Sequence, residues 1–248
     1  MRKIIKNLTI LFFSLLVIQL VFFILGKNTF LPSPFEVFKA FFTQFQQGDI
    51  ILDILMSLKR VVLGFILAAI TAIPLAILCG YSRHLNDFIK PFVELLRPIP
   101  PIAWIPIAIL LFGLGDGSSY FIVFLGAFFP IFTNSYFGAT SLPNIYKNVA
   151  RTFEINNSIF IRKILFYFSL PYIFTGLRIG IGMAWMSVIA AELIGAQSGL
   201  GYFIQINRLL LRTDNIVLGM TLIGAIGYLL TKLLSVVERF SLPWVEKH

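Results

Sequence analysis

The chain has 248 residues, 58% of them hydrophobic and only 12% charged, with a formal net charge of +9. Soluble globular domains carry about 25% charged residues, so this composition excludes an ordinary water-facing protein. With no basic tract or nucleic-acid motif, the positive balance points to the positive-inside rule and anionic lipid, not to nucleic acid.

A bilayer-spanning helix needs about 20 mostly apolar residues, and the chain supplies several such runs. Arg2, Lys3 and Lys6 precede an uncharged run over 7–26. It is longer than the apolar part of a signal peptide and no small-residue cleavage pattern follows, so it is expected to be a retained first span. LPSP at 31–34 is a turn, and Pro34 suits the first position of a helix, with Glu36 near its positive end. FEVFKAFFTQF then sets aromatics on one face, which fits either an interfacial helix or a core helix. The second span is expected at 61–80, after Lys59 and Arg60, with Pro74 kinking it. A polar turn, YSRHLND at 81–87, returns the chain.

The third span, 89–115, contains Pro91, Pro98, Pro100, Pro101 and Pro106. RPIPPIAWIP at 97–106 cannot be a regular helix, because each proline removes a donor and clashes one turn back. The freed carbonyls need partners in lipid. The segment is therefore buried in protein or lines a cavity, as broken helices on transport pathways do, or it is a packing kink. Glu94 and Arg97, at i and i+3, can pair. FGLGDGSS at 112–119 is a turn with Asp116, and an uncharged fourth span is expected at 120–140. Gly126, Gly138 and Ala139 there allow close helix approach.

Residues 148–171, NVARTFEINNSIFIRKILFYFSLP, form the longest polar stretch between apolar runs, carrying Arg151, Arg162 and Lys163 with Lys147 just before. A short helix is expected at 145–153, a turn at Asn156-Asn157, and a second helix capped by Ser158. The fifth span is expected at 172–194. Its Arg178 and Glu192 lie about 21 Å apart along a helix and cannot pair with each other. GAQSGLG at 195–201 is an external turn, and the sixth span is expected at 216–235.

With the N-terminus inside, the cytoplasmic segments hold Arg2, Lys3, Lys6, Arg83, Lys90, Lys147, Arg151, Arg162, Lys163, Lys232, Arg239 and Lys247. The outer segments hold Lys27, Lys39, Lys59, Arg60, Arg208 and Arg212, twelve against six. That bias puts both termini and the 148–171 stretch in the cytoplasm. Cys79, the single cysteine, permits no internal disulfide, and the two histidines, His84 and His248, supply a metal site poorly. No cofactor or metal is expected. There is no GxxxxGK[ST], HExxH or GxSxG. Of the intramembrane charges, Glu94, Arg97, Arg178 and Glu192 are functional candidates because such charges are costly, though structural pairing or snorkelling accounts for many such residues. An intramembrane enzyme using Glu94 or Glu192 with His84 is the rival reading, and a non-transporting assembly protein a third.

Three blocks carry a family resemblance: RPIPPIAWIPIAILLFGLG at 97–115, GAFFPIFTNSYFG at 126–138 and AELIGAQSGLGYFI at 191–204. With the span pattern, they resemble the permease subunits of binding-protein-dependent ABC importers, in the nitrate, sulfonate and taurine branch. The resemblance implies an all-α polytopic membrane protein with about six transmembrane helices and a cytoplasmic coupling helix. It implies one permease domain over 1–248: a first span in 1–30, and a five-span core at 58–238 holding an EAA-like loop at 144–171. The family pattern reads Glu-Ala-Ala, three residues, Gly, nine residues, Ile, one residue, Leu-Pro. Here only Ala150 and Ile164 match; Asn148 and Val149 stand at the first two positions, Glu154 at the glycine, and Phe166-Tyr167 at Leu-Pro. Glycine would permit a positive φ between two helices, which glutamate adopts reluctantly. The first helix is thus expected to run past Glu154, or Asn156-Asn157 to take over the turn.

The resemblance further implies an ATPase subunit, an extracytoplasmic solute-binding protein and a second permease copy as partners, in the inner membrane of a bacterial cell. Docking of the ATPase would fall on Val149, Ala150, Arg151, Thr152, Phe153, Glu154, Ile155 and Asn156. The pathway would be lined by Pro98, Pro100, Pro101 and Trp104, with Glu192 on the facing fifth span. The solute class it suggests is a small anion such as a sulfonate or nitrate, with a vitamin precursor as the alternative.

Overall fold

A computed structural model describes residues 32–244. The first expected span, 7–26, lies outside the described residues. Within them the chain is helical and contains no strand.

Helix α1, Pro34–Gln47, starts at a capping box: Ser33 Oγ accepts from the Glu36 N–H, and the Ser33 N–H donates back to the Glu36 carboxylate at 2.7 Å. Its other end stops at Gly48, φ +83°, a left-handed position open to glycine. Helix α2, Asp49–Tyr81, then runs for 33 residues, so Lys59 and Arg60 belong inside the helix and not to a loop before it. The expected polar return over 81–87 shrinks to Ser82, which caps helix α3, Arg83–Leu96. Pro91 sits inside that helix. The proline-dense segment behaves as the side-chain chemistry demands. A 3₁₀ turn, Pro101–Trp104, leads to helix α4, Ile105–Phe112, and the pair is bent by 91° against α3.

Helix α5, Asp116–Thr140, and the long helix α7, Asn157–Gly195, bracket the short helix α6, Asn144–Thr152. Asn156 Oδ1 caps α7 by accepting the Ser158 N–H at 3.0 Å. The helix passes through a π segment, Phe160–Leu165, and carries Pro171 inside. Helix α8, Leu200–Leu209, and helix α9, Thr213–Ser241, complete the described chain. Among the described residues four helices (α2, α5, α7 and α9) are long and apolar enough to cross a bilayer, and α3 with the turn and α4 makes a fifth if the bent pair is one span.

The core is built on α2, α5 and α7. Ala68, Ala72 and Ala76 of α2 recur every four residues on one face. They meet Val123, Ala127 and Ile131 of α5 and Ala184, Trp185 and Val188 of α7. The crossings are close because small residues stand there. A Cβ built on Gly126 would lie 2.3 Å from Ser187 Oγ, and one on Gly80 would lie 2.4 Å from the Ala139 Cβ. Lipid offers helices little hydrophobic drive to associate, so such close packing is what holds them. Trp185 Nε1 donates to the Ile223 carbonyl at 2.9 Å and fastens α9 to α7. The bulky apolar side chains left exposed on α2, α4 and α9, such as Ile70, Leu110 and Tyr228, fit surfaces that face lipid or a partner.

Candidate functional site: the two ends of the helix bundle

One end of the bundle is locked by ions. Arg60 of α2 is 2% exposed and donates to four acceptors: Asp116 Oδ1 at the start of α5 (2.8 Å), Glu192 Oε1 near the end of α7 (2.8 Å), and the Ser198 carbonyl and hydroxyl (2.6 and 2.8 Å). Ser57 Oγ accepts the Leu200 N–H at 2.9 Å and stands 2.8–2.9 Å from both Glu192 oxygens. The Gly201 N–H reaches Glu192 Oε2 at 3.0 Å, and the Gly199 N–H reaches Asp53 Oδ1 at 2.7 Å. Backbone must come within touching distance of the carboxylate here. A Cβ on Gly199, whose φ is +108°, would lie 2.3 Å from Glu192 Oε1, so only glycine fits. Glu192, expected on the pathway, is therefore enclosed: its side chain is fully buried and its oxygens are occupied by groups from α2 and α8. Its role in this conformation is to brace α2, α5, α7 and α8 at one end. A buried charge is tolerated only when paired and hydrogen-bonded, and this one is both.

The opposite end carries α6. Along α2, Ser57 and Tyr81 lie about 36 Å apart at 1.5 Å per residue, comparable with the ~30 Å hydrocarbon core of a bilayer. Tyr81 faces the α6 side, where it helps line a cleft of about 370 Å³ with Lys147, Ala150, Arg151, Ile155, Asn157 and Phe160. Ala150 is buried in a local core with Ile77, Leu142, Phe160, Leu165 and Ile173. The rest of the docking set points outward: Val149, Arg151, Thr152, Phe153, Glu154 and Asn156 are exposed, and Phe153 is 75% exposed. Ile145, Val149 and Phe153, with Tyr146 edging against Phe168, thus form an apolar face that is largely open among the described residues, while Ala150 and Ile155 anchor α6 from behind.

Glu154 departs from expectation. The helix neither continues past it nor hands the turn to Asn156-Asn157; α6 ends at Thr152 and Glu154 takes φ +48°. The cause is a paired stop: the Glu154 N–H donates to the Arg151 carbonyl at 3.0 Å and the Ile155 N–H to the Ala150 carbonyl at 2.9 Å. These are the two bonds of a Schellman motif. Ile155 packing on the core around Ala150 supplies the accompanying apolar contact. Leu211, φ +57°, ends α8 with the same two bonds, from the Leu211 N–H to the Arg208 carbonyl and from the Arg212 N–H to the Asn207 carbonyl.

The proline-broken segment lies between these ends. Pro98 and Pro100 are exposed, Pro101 and Trp104 half-buried. Trp104 packs with Ile105, Ala108, Ile122 and Ala191, so the broken segment does face α7. The expected Glu94–Arg97 pair is replaced by Lys90–Glu94 at 3.6 Å, and Arg178 pairs with Glu238 of α9. His84 is exposed at the start of α3, about a bilayer thickness from Glu192, and the exposed Glu94 faces Lys90. The geometry gives the intramembrane-enzyme reading no shared site. Among the described residues no group of three His, Cys, Asp or Glu side chains could hold a metal ion.

The Arg60 cluster was missed because its members are separated by up to 146 residues in sequence. The available signal was a run of charge at 59–60 inside an otherwise apolar stretch.

Comparison with known proteins agrees with this architecture. Residues 72–247 match the model of a family described as "Binding-protein-dependent transport system inner membrane component". The chain is 36% identical over 233 residues to the nitrate import permease protein NrtB of Synechocystis, covering 90% of this chain and 84% of that one. It is 39% identical over 187 residues to the bicarbonate transport system permease protein CmpB of Synechococcus elongatus, covering 75% and 67%. Among solved structures, an inward-facing MetNI methionine ABC transporter chain superposes with a TM-score of 0.66 at 17% identity, covering 74% of this chain and 92% of that one.

Proposed function

Because the chain belongs to the family of binding-protein-dependent transport system inner membrane components, we propose how it works as the translocation subunit of an ATP-driven importer: energy enters at α6 and the solute is a small anion. The observation that carries the reading is the pairing of an apolar face on α6, exposed among the described residues, with a rigid anchor behind it. Ile145, Tyr146, Val149 and Phe153 are exposed, while Ala150 is buried against α2, α5 and α7. A partner pressing on that face moves the inner ends of the core helices with it. The chain has no nucleotide-binding loop of its own, so the hydrolysing subunit is a separate ATPase docked there.

Two copies of the permease enclose the pathway, and an extracytoplasmic binding protein delivers solute at the end closed by Arg60 and Glu192. The termini and α6 face the cytoplasm, as the charge bias requires. Alternating access is then a rigid-body exchange between states open to either face. A small anion is favoured because relatives at 36–39% identity are named as nitrate and bicarbonate permeases. Pro98, Pro100, Pro101 and Trp104 line the pathway beside α7.

Co-purification with the cognate ATPase tests the docking face. Arg151→Glu combined with Phe153→Ala should abolish the complex and ATP-driven uptake together. Retention of both would show that the ATPase docks elsewhere.

A further inference from the structure

A cleft of about 460 Å³ opens where three elements converge on the broken span. Ile102 of the 3₁₀ turn forms one wall, Ala190, Leu193 and Ile194 of α7 a second, and Gln205 and Arg208 of α8 the third. The volume is within the range of small-molecule sites. Ala190, Leu193 and Ile194 follow i, i+3, i+4 spacing, and Gln205 and Arg208 are i, i+3 neighbours, so each helix turns one face into the space.

Arg208 is the only charge in the described lining of this cleft. Of the other arginines near this end, Arg60 is neutralised by Asp116 and Glu192, and Arg212 lines a separate cleft with Glu36, Lys39 and Asp214. Arg208 has no ion-pair partner among the described residues, and its cleft contains no carboxylate to compete for it.

We propose that this cleft is a solute subsite for a small oxyanion, with Arg208 as the charged donor and Gln205 as a second donor. The proposal rests on the translocation role given above and names the class of solute that the pathway admits. A guanidinium presents a planar fork that matches the oxygens of nitrate, bicarbonate or a sulfonate. Because only a positive charge and a neutral amide line the cleft, a cationic solute would be repelled. Ile102 ties the site to the proline-broken segment, so movement of that segment would open or close it.

The test uses the permease with its ATPase and binding protein in vesicles, with nitrate, bicarbonate and methanesulfonate each offered as labelled solute. For an anion that the wild type transports, Arg208→Gln should lower maximal uptake about tenfold, as loss of a charged hydrogen bond implies. Arg208→Glu should lower it further, and Arg208→Lys should recover most of it. KM, set by the binding protein, and co-purification with the ATPase should not move. Uptake by Arg208→Gln and Arg208→Glu equal to wild type would overturn the subsite, as would a Lys variant no better than Gln. A defect that appears only in vesicles containing phosphatidylglycerol would assign Arg208 to lipid headgroups and also overturn it. Wild-type uptake of none of the three anions would instead overturn the anion-import reading itself, before any variant is compared.

Discussion

Removing Arg60 should expose how much the ion cluster holds. Arg60→Met is close in volume and deletes all four donated bonds at once. Glu192 would keep Ser57 and the Gly201 N–H, and Asp116 would keep Lys59 at 3.4 Å. One carboxylate would then sit fully buried without a counter-charge. Breaking a buried pair by removing one partner costs about 3–5 kcal/mol. At about 2–4 °C per kcal/mol for a chain of this size, the melting temperature should fall by about 6–20 °C. The assay is thermal unfolding of the detergent-purified protein, followed by far-ultraviolet circular dichroism. The double variant Arg60→Met with Glu192→Leu removes the orphaned charge and should recover at least half of the loss, since an apolar replacement of a buried pair is often near neutral. Arg60→Lys keeps the charge but loses the fork, and should fall between. A shift below about 2 °C for Arg60→Met would refute the brace, and so would a double variant worse than the sum of the singles.

Further outcomes follow from single positions. Gly199→Ala forces a Cβ into the Glu192 carboxylate at a positive φ and should destabilise by at least 1–3 kcal/mol in the same melts, roughly the cost of a strained backbone position. Glu154→Gly relieves the left-handed strain at the end of α6 and should raise stability by up to about 1 kcal/mol in the same melts. Gly126→Leu places a branched side chain where Ser187 Oγ lies 2.3 Å from a bare Cβ. It should part α5 from α7 and sharply reduce the yield of folded protein on size-exclusion chromatography.

What could be read in the sequence was local chemistry. The LPSP turn with Pro34 and Glu36 announces the start of α1, though not its capping box, and Pro98, Pro100 and Pro101 dictate the break between α3 and α4, while Pro91 is absorbed within α3 and Pro106 in the first turn of α4. The short helix expected at 145–153, found at Asn144–Thr152, followed from its polarity and flanking turns. What could not be read was tertiary. Arg60 looked like a flanking charge because nothing nearby shows that α2 already began at Asp49, or that Asp116, Glu192 and Ser198 would converge on it. That Glu192, expected on the pathway, is enclosed by Arg60, Ser57 and the Gly201 N–H was out of sight for the same reason. Glu154 was misjudged because propensity alone disfavours its φ, whereas the two hydrogen bonds of the helix stop and the packing of Ile155 outweigh a strain of about 1–2 kcal/mol. Arg178 was known to be out of reach of Glu192, but its partner Glu238 is 60 residues away on α9.

The claim on which the rest depends is that ATP hydrolysis by a partner at α6 drives solute through this chain. The most direct measurement is uptake of labelled nitrate, bicarbonate or methanesulfonate into vesicles containing the permease and its ATPase, with binding protein outside and ATP inside. Concentrative uptake that requires ATP, and that disappears in the Arg151→Glu, Phe153→Ala variant, is the predicted result. Uptake that proceeds without ATP, or that is unaffected by those two substitutions, would contradict it.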